Sequence, residues 1–216
     1  MNKFEQWFSN HKEKSQMKVV QAEKPLVGPW LVEGESPIPV RRSDGRFFRL
    51  TNVDVTTNTR EVAQWSQPML EESESSTVSG ISKSLTGFVA LFRGLMKEGS
   101  LYLVQAKAEP GSDSEGRVLL APTLQASVSN MSKHGSKIPF IADFKPEKAK
   151  MAVQSKDGGR FYNKNNLLAL QDFTEEEAGK LVAPENFIWA TREEIRGLQM
   201  KGLANEHLNE VLGVFL

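Results

Sequence analysis

Apolar positions in this chain keep different spacings in different stretches, and each spacing predicts a different element. Near the start, Phe4, Trp7, Phe8 and His11 fall three or four residues apart with lysine and glutamate between them. That predicts a helix over residues 1 to about 21, an arm that packs on its own domain or on a partner subunit. Four prolines and two glycines in residues 25–39 mark a connector. Aromatic and β-branched residues then take over. RFFRL (46–50) and the 53–55 segment predict strands. REVAQWSQPML (60–70) is extended until Pro68 breaks the ladder, and the acidic, serine-rich 71–80 segment is a loop with the makeup of a lid.

Two apolar runs, 87–93 and 101–109, separated by GLMKEGS, predict a hairpin, and 118–128 predicts a further strand. Residues 131–150 carry little periodic signal. MAVQSKDGGRFYNKNN (151–166) predicts a strand, a Gly-Gly turn and a short aromatic segment. The rest reads as helical. Thr174 precedes a glutamate-rich turn, and Thr191 with Glu194 matches a capping box ahead of Ile195 and Leu198. Asn205 caps a further helix that buries Leu208, Val211, Leu212 and Phe215. The expected organisation is a helical arm over 1–24, a core over 25–190 and C-terminal helices over 191–216 that pack on it.

Residues 105–130 carry the strongest functional signal. Gln105, Lys107 and Glu109 alternate, Pro110-Gly111 ends the run, and Thr123, Gln125 and Ser127 alternate again. In a strand, alternate side chains share a face. Two such strands joined by one tight connection set an amide, an ammonium, a carboxylate and a hydroxyl side by side. A solvated face needs only generic polar residues, whereas two glutamines among opposite charges fit a site. From the residues alone, Lys107 and Glu109 read equally as a weak ion pair on a solvated sheet or as catalytic groups.

Composition narrows the options. The chain has 216 residues, with 27 Lys plus Arg against 27 Asp plus Glu, so its formal charge is zero. No whole-molecule field draws it to nucleic acid or to an anionic membrane. The absence of cysteine removes disulfide and thiolate chemistry and fits a reducing compartment. The first residues lack the apolar core of a signal peptide, and the longest apolar stretch, 87–92, is too short to span a bilayer. A cytoplasmic protein is expected. Neither GxGxxG, GxxxxGK[ST] nor GxSxG occurs, and the three histidines are scattered. With no metal site and no cofactor expected, chemistry rests on carboxylate, lysine, tyrosine and amide groups.

An ordered set of motifs resembles the NDP-hexose 2,3-dehydratases. It comprises Arg46-Phe47-Phe48, Trp65-x-Gln67-Pro68, Gln105-x-Lys107-x-Glu109-Pro110-Gly111, Pro122-Thr123-x-Gln125, Ser129-Asn130, Gly159-Arg160-Phe161-Tyr162 and Phe187-x-Trp189. The resemblance covers about residues 40–200. It implies an α+β fold, a Nudix-like mixed β-sheet flanked by helices, without the Nudix catalytic box. It also implies a lyase of deoxysugar biosynthesis that removes water from C2 and C3 of an NDP-4-keto-6-deoxyhexose, usually dTDP-linked. A downstream NAD(P)H-dependent ketoreductase would take up the product. Better-known members are about twice this length with two similar halves, so a homodimer would rebuild the pair.

The chemistry asks for a base near C3, a donor to the ketone oxygen and an acid for the departing hydroxyl. Under the resemblance Glu109 is the base, Lys107 or Tyr162 polarises the ketone, and Gln105, Thr123 and Gln125 grip sugar hydroxyls, with Ser129 and Asn130 beside them. Trp65 is a stacking platform for the base or a core aromatic, and Gln67 touches ligand or shapes a strand end. Arg46 and Arg160 are candidates to clamp the diphosphate, at most one of them doing so. The competing reading is a non-catalytic nucleotide-sugar-binding subunit. A nucleotide-sugar isomerase or epimerase of the cupin type calls for a catalytic histidine, and the scattered histidines offer none.

Overall fold

The computed structural model describes residues 2–17, 48–56, 64–72, 76–77, 84–109, 117–128, 130–131, 138–155 and 161–216. The predicted connector at 25–39, most of the 71–80 loop and the Gly-Gly turn lie outside them. β1 (Phe48–Thr56) and β2 (Gln64–Glu72) pair antiparallel, and the two short strands predicted between residues 46 and 55 are this one strand. β2 runs through Pro68 instead of ending there. Among the described residues its second neighbour, β10 (Phe161–Tyr162), reaches only Leu70 and Glu71. β3 (Ser76–Thr77) and β4 (Ser84–Leu85) form a small separate pair.

A seven-stranded mixed sheet organises the rest, in the order β12 (Phe187–Ala190), β6 (Gly99–Ala108), β5 (Gly87–Met96), β11 (Asn165–Thr174) and β9 (Ala149–Ser155), with β7 (Val118–Ala121) and β8 (Leu124–Ser127) attached to β6 and β5. The predicted hairpin is β5 (Gly87–Met96) and β6 (Gly99–Ala108). β9 (Ala149–Ser155) and β12 (Phe187–Ala190) are edge strands of the main path. The main departure from the sequence reading is β11 (Asn165–Thr174), which lies between β5 and β9, parallel to the first and antiparallel to the second. Its residues from Leu167 onward were expected to be helical. Both of its faces are buried: Leu168 and Leu170 join one core, Leu167, Ala169 and Phe173 the other. A strand covered on both sides has no reason to alternate, so its pattern is mute.

The two cores lie on opposite faces of this sheet. On one, Val89, Leu91 and Val104 meet Phe4 and Phe8 of α1 (Lys3–Lys14), Ile195 and Leu198 of α3 (Arg192–Met200), and Leu208, Val211 and Leu212 of α4 (Glu206–Phe215). On the other, Phe88, Phe92, Leu103 and Phe187 enclose Phe140 and Ala178, the latter from α2 (Glu175–Lys180). The predicted caps are all present: Thr174 with Glu177, Thr191 with Glu194, and Asn205 ahead of Leu208. α1 stops at Lys14 and packs on its own chain. Trp7 Nε1 donates to Glu185 O (2.9 Å), and Lys201 pairs with Glu5 at 3.0 Å. No helix among the described residues is long and apolar enough to cross a membrane.

One feature of the sheet shapes everything at its far end. β5 and β6 pair only from Phe92–Leu103 to the turn, and beyond that point they part. β6 takes β7 (Val118–Ala121) as its neighbour and β5 takes β8 (Leu124–Ser127), so the predicted 118–128 strand is broken in two. Thr123, at the corner between them, is 1% exposed. Its hydroxyl accepts from Phe92 N–H (2.9 Å) and donates to Leu103 O, joining the two strands where they separate.

Thr123→Val keeps the shape and removes both bonds. It is expected to cost about 1–3 kcal/mol for the buried groups left unpaired, measured by urea denaturation, while Thr123→Ser costs less. A second check concerns Glu177, whose carboxyl is held down to about 2 by the Lys148 ammonium at 2.7 Å and by the Thr174 N–H at 3.0 Å. A folded value below the unfolded one means a contribution present above the ordinary 4.5 and lost as pH falls toward 2. NMR titration should place Glu177 near 2, and Lys148→Ala should move it upward.

Candidate active site

Where the strands part, four polar side chains from three elements converge. Lys107 lies on β6, Glu109 just past its end, Gln125 on β8, and Asn205 at the start of α4. The helix start is stitched to β7: Asn205 N–H donates to Leu120 O and Leu120 N–H donates to Leu203 O, both at 2.8 Å. This places the Asn205 carboxamide between the helix and the fork. Its Oδ1 accepts the Leu208 N–H (2.9 Å) as the helix cap. Its Nδ2 donates to Gln125 Oε1 (2.8 Å) and Glu109 Oε1 (3.2 Å).

Glu109 Oε1 therefore receives three donors. Gln125 Nε2 comes at 3.1 Å, Asn205 Nδ2 at 3.2 Å and Lys107 Nζ at 3.2 Å. No hydrogen bond from a described residue goes to Oε2, and the side chain remains 22% exposed. The carboxylate is anchored through one oxygen and presents the other. A charge held this way is oriented without being neutralised at its reactive edge.

A cavity of about 240 Å³ lies beside this cluster, walled by Lys107, Gln125, Asn130, Lys164, Asn166 and His207. Among the described residues its lining holds two lysines and a histidine and no carboxylate, a balance suited to an anionic ligand. Gly87 forms part of the floor. A Cβ there would fall 2.3 Å from Asn166 Oδ1, so only glycine lets the carboxamide lie across it. Asn166 is 1% exposed, and its Nδ2 has no hydrogen-bond partner among the described residues. His207 Nδ1 lies 3.2 Å from Glu210 Oε2. A larger cavity, about 620 Å³, sits at the other end of the hairpin. Glu98, Glu175 and Glu193 there outweigh Lys97 and Arg192, a poor match for a diphosphate.

The structure sorts the residues expected from the sequence. Lys107, Glu109 and Gln125 meet, and Asn130 stands on the cavity wall. Their strands are not neighbours, however: β6 and β8 face each other across the fork, and only side chains cross it. Thr123 is corrected to a core position, since its hydroxyl is spent on Phe92 and Leu103. Gln105 buttresses the same corner, donating to Pro122 O (2.9 Å). Tyr162 is 39% exposed in β10 of the three-stranded sheet and does not line the cavity. Trp65 and Gln67 lie in β2 opposite Val55 and Val53, and their side chains are outside the description. Arg46, Ser129 and Arg160 fall outside the described residues. Asn205, Asn166 and His207 were missed. The sequence showed Asn205 only as a cap, and nothing in it joined the other two to residues 105–127. No group of three or more metal-ligating side chains occurs among the described residues.

Comparison with known proteins bears on this arrangement. The family model described as NDP-hexose 2,3-dehydratase matches residues 1–212. A dTDP-4-dehydro-6-deoxy-alpha-D-glucopyranose 2,3-dehydratase of Streptomyces violaceoruber is 30% identical over 189 residues, covering 86% of this chain and 39% of that protein. The protein of the same name from Saccharopolyspora spinosa is 28% identical over 191 residues, covering 86% and 36%. The chain thus spans well under half the length of these curated relatives. Among solved structures, a C. elegans Ap4A hydrolase overlaps 61% of this chain and 96% of its own, with 9% identity and a TM-score of 0.38, too loose to carry an argument.

Asn205→Asp tests the clamp. It keeps the cap acceptor but turns a donor into a second carboxylate against Glu109 and the Gln125 oxygen. It should destabilise the protein by about 1–3 kcal/mol at neutral pH. Like charges raise each other's pKa, so the loss should shrink on acidification. Thermal melts at pH 7 and pH 5 measure both effects.

Proposed function

Because the chain belongs to the NDP-hexose 2,3-dehydratase family, we propose that its cleft binds a dTDP-linked 4-keto-6-deoxyhexose and eliminates water across C2 and C3. The clamped Glu109 carboxylate carries the reading, with Oε1 held by three donors and Oε2 available. In this scheme the C4 ketone acidifies the C3 proton and Glu109 removes it. Lys107 offers an N–H to the oxygen where the enolate charge collects. The C2 hydroxyl then leaves, and the enol product tautomerises to a 3,4-diketo-2,6-dideoxy sugar.

Gln125 and Asn130 contact sugar hydroxyls, and the wall that carries Lys107 and Lys164 takes the negative charge of the nucleotide. Trp65 stacks on the base, and Arg46 or Arg160 contacts the diphosphate. The working unit in this reading is a homodimer, each copy bringing its own cluster. A ketoreductase using NAD(P)H consumes the unstable product.

Incubation of the full chain with dTDP-4-keto-6-deoxyglucose and a trapping reductant should yield a 2-deoxy sugar. Glu109→Gln should lower that rate by about 10²–10⁴-fold, the usual worth of a general base, with the melting temperature little changed. Saturable binding of the sugar nucleotide without turnover by the wild type would identify a non-catalytic subunit instead.

A further inference from the structure

The elimination needs an acid, because hydroxide is a poor leaving group, and sequence motifs assigned none. We propose that His207, oriented by Glu210, donates the proton that carries the C2 hydroxyl away as water. The inference rests on the dehydratase reading above.

Among the described residues, three groups on the cavity wall can hold a transferable proton: Lys107, Lys164 and His207. Lys107 is paired with Glu109 at 3.2 Å. Lys164 lies over the Phe161 ring at 4.3 Å. A lysine ammonium ordinarily gives up its proton near pH 10, whereas imidazole does so near neutrality, where a general acid works best. Glu210 is 10% exposed in its side chain, and its Oε2 is 3.2 Å from His207 Nδ1. Facing a carboxylate, Nδ1 carries a hydrogen and donates it. That sets the ring orientation and stabilises the imidazolium, and in the proposed step the proton transferred is the one on Nε2.

Placement agrees with chemistry. His207 stands two residues after Asn205, whose carboxamide holds Glu109. Base and acid are thus fixed to the same first turn of α4, one through a hydrogen bond and the other covalently. Asn166 adds a buried N–H donor with no hydrogen-bond partner among the described residues to the same wall, a further partner for a ligand oxygen.

The step balances without a redox partner. Glu109 takes the C3 proton, and the C–H electron pair moves onto the C4 oxygen. Collapse of the enolate restores the ketone, forms the C2–C3 double bond and sends the C2–O pair to oxygen, which takes the Nε2 proton and leaves as water. His207 ends neutral and Glu109 protonated, and exchange with solvent resets both.

The test follows dTDP-4-keto-6-deoxyglucose by NMR in D2O with the full chain. His207→Asn keeps a partner for Glu210 and removes Nε2. It should slow loss of the C2 hydroxyl at least 100-fold while deuterium still enters at C3. His207→Gln serves as a second variant, with circular dichroism reporting the fold of each. Glu210→Ala should mix the two ring tautomers, read from the imidazole 15N shifts, and slow elimination while sparing C3 exchange. Elimination at the wild-type rate in a folded His207 variant overturns the assignment, as does equal loss of exchange and elimination. If the wild type binds the sugar nucleotide but eliminates nothing, the dehydratase reading fails first. In that case a His207 imidazole signal unmoved by saturating sugar nucleotide overturns this inference as well, and a signal that moves supports His207 as a group facing the ligand.

Discussion

Two β-strands that part inside a protein expose backbone donors and acceptors, and each of these must find a partner. β5 and β6 part after Phe92 and Leu103, and the cleft depends on how that debt is met. A hydroxyl can both accept and donate, so Thr123 satisfies one group on each strand at the point of separation. β8 and β7 then continue the ladders of β5 and β6. The result is an opening in the sheet whose walls are both hydrogen-bonded, with side chains free to meet across it. Glu109 and Gln125 do so although their strands never pair.

That arrangement also explains what could be read from the sequence. The β5–β6 hairpin was legible because two apolar runs flank a short polar turn, and the helix caps were legible because their signals are local. β11 was not, since burial on both faces erases the alternation that marks a strand. The spacing of Thr123, Gln125 and Ser127 was read as one strand face. The chain turns a corner at Thr123, so parity does not carry across it: Thr123 goes into the sheet and Gln125 into the cleft. Gln105 shares the parity of Lys107 yet spends its amide on the corner. Asn205, Asn166 and His207 come from β11 and α4, distant in sequence from residues 105–127, so only the folded topology brings them to the site.

The neutral formal charge conceals a local sorting of charge. Among the described residues the lining of the cavity at the fork is cationic and free of carboxylate, while glutamates predominate around the cavity at the turn of the same hairpin. Glu109, bonded to two residues of that lining, is held by neutral amides on two sides and one ammonium. Amides hold a carboxylate in place through dipoles without adding net positive charge.

The Asn205 carboxamide serves helix and cluster at once, and this gives the cluster a lifetime. Capping the Leu208 N–H and holding Glu109 require the same side chain in the same rotamer. Local opening of the first turn of α4 therefore releases Glu109 and swings His207 away in one event. Such openings have their own free energy, distinct from that of global unfolding. The fraction of molecules with an assembled cluster is set by that local equilibrium, and exchange of the Leu208 amide hydrogen is its clock.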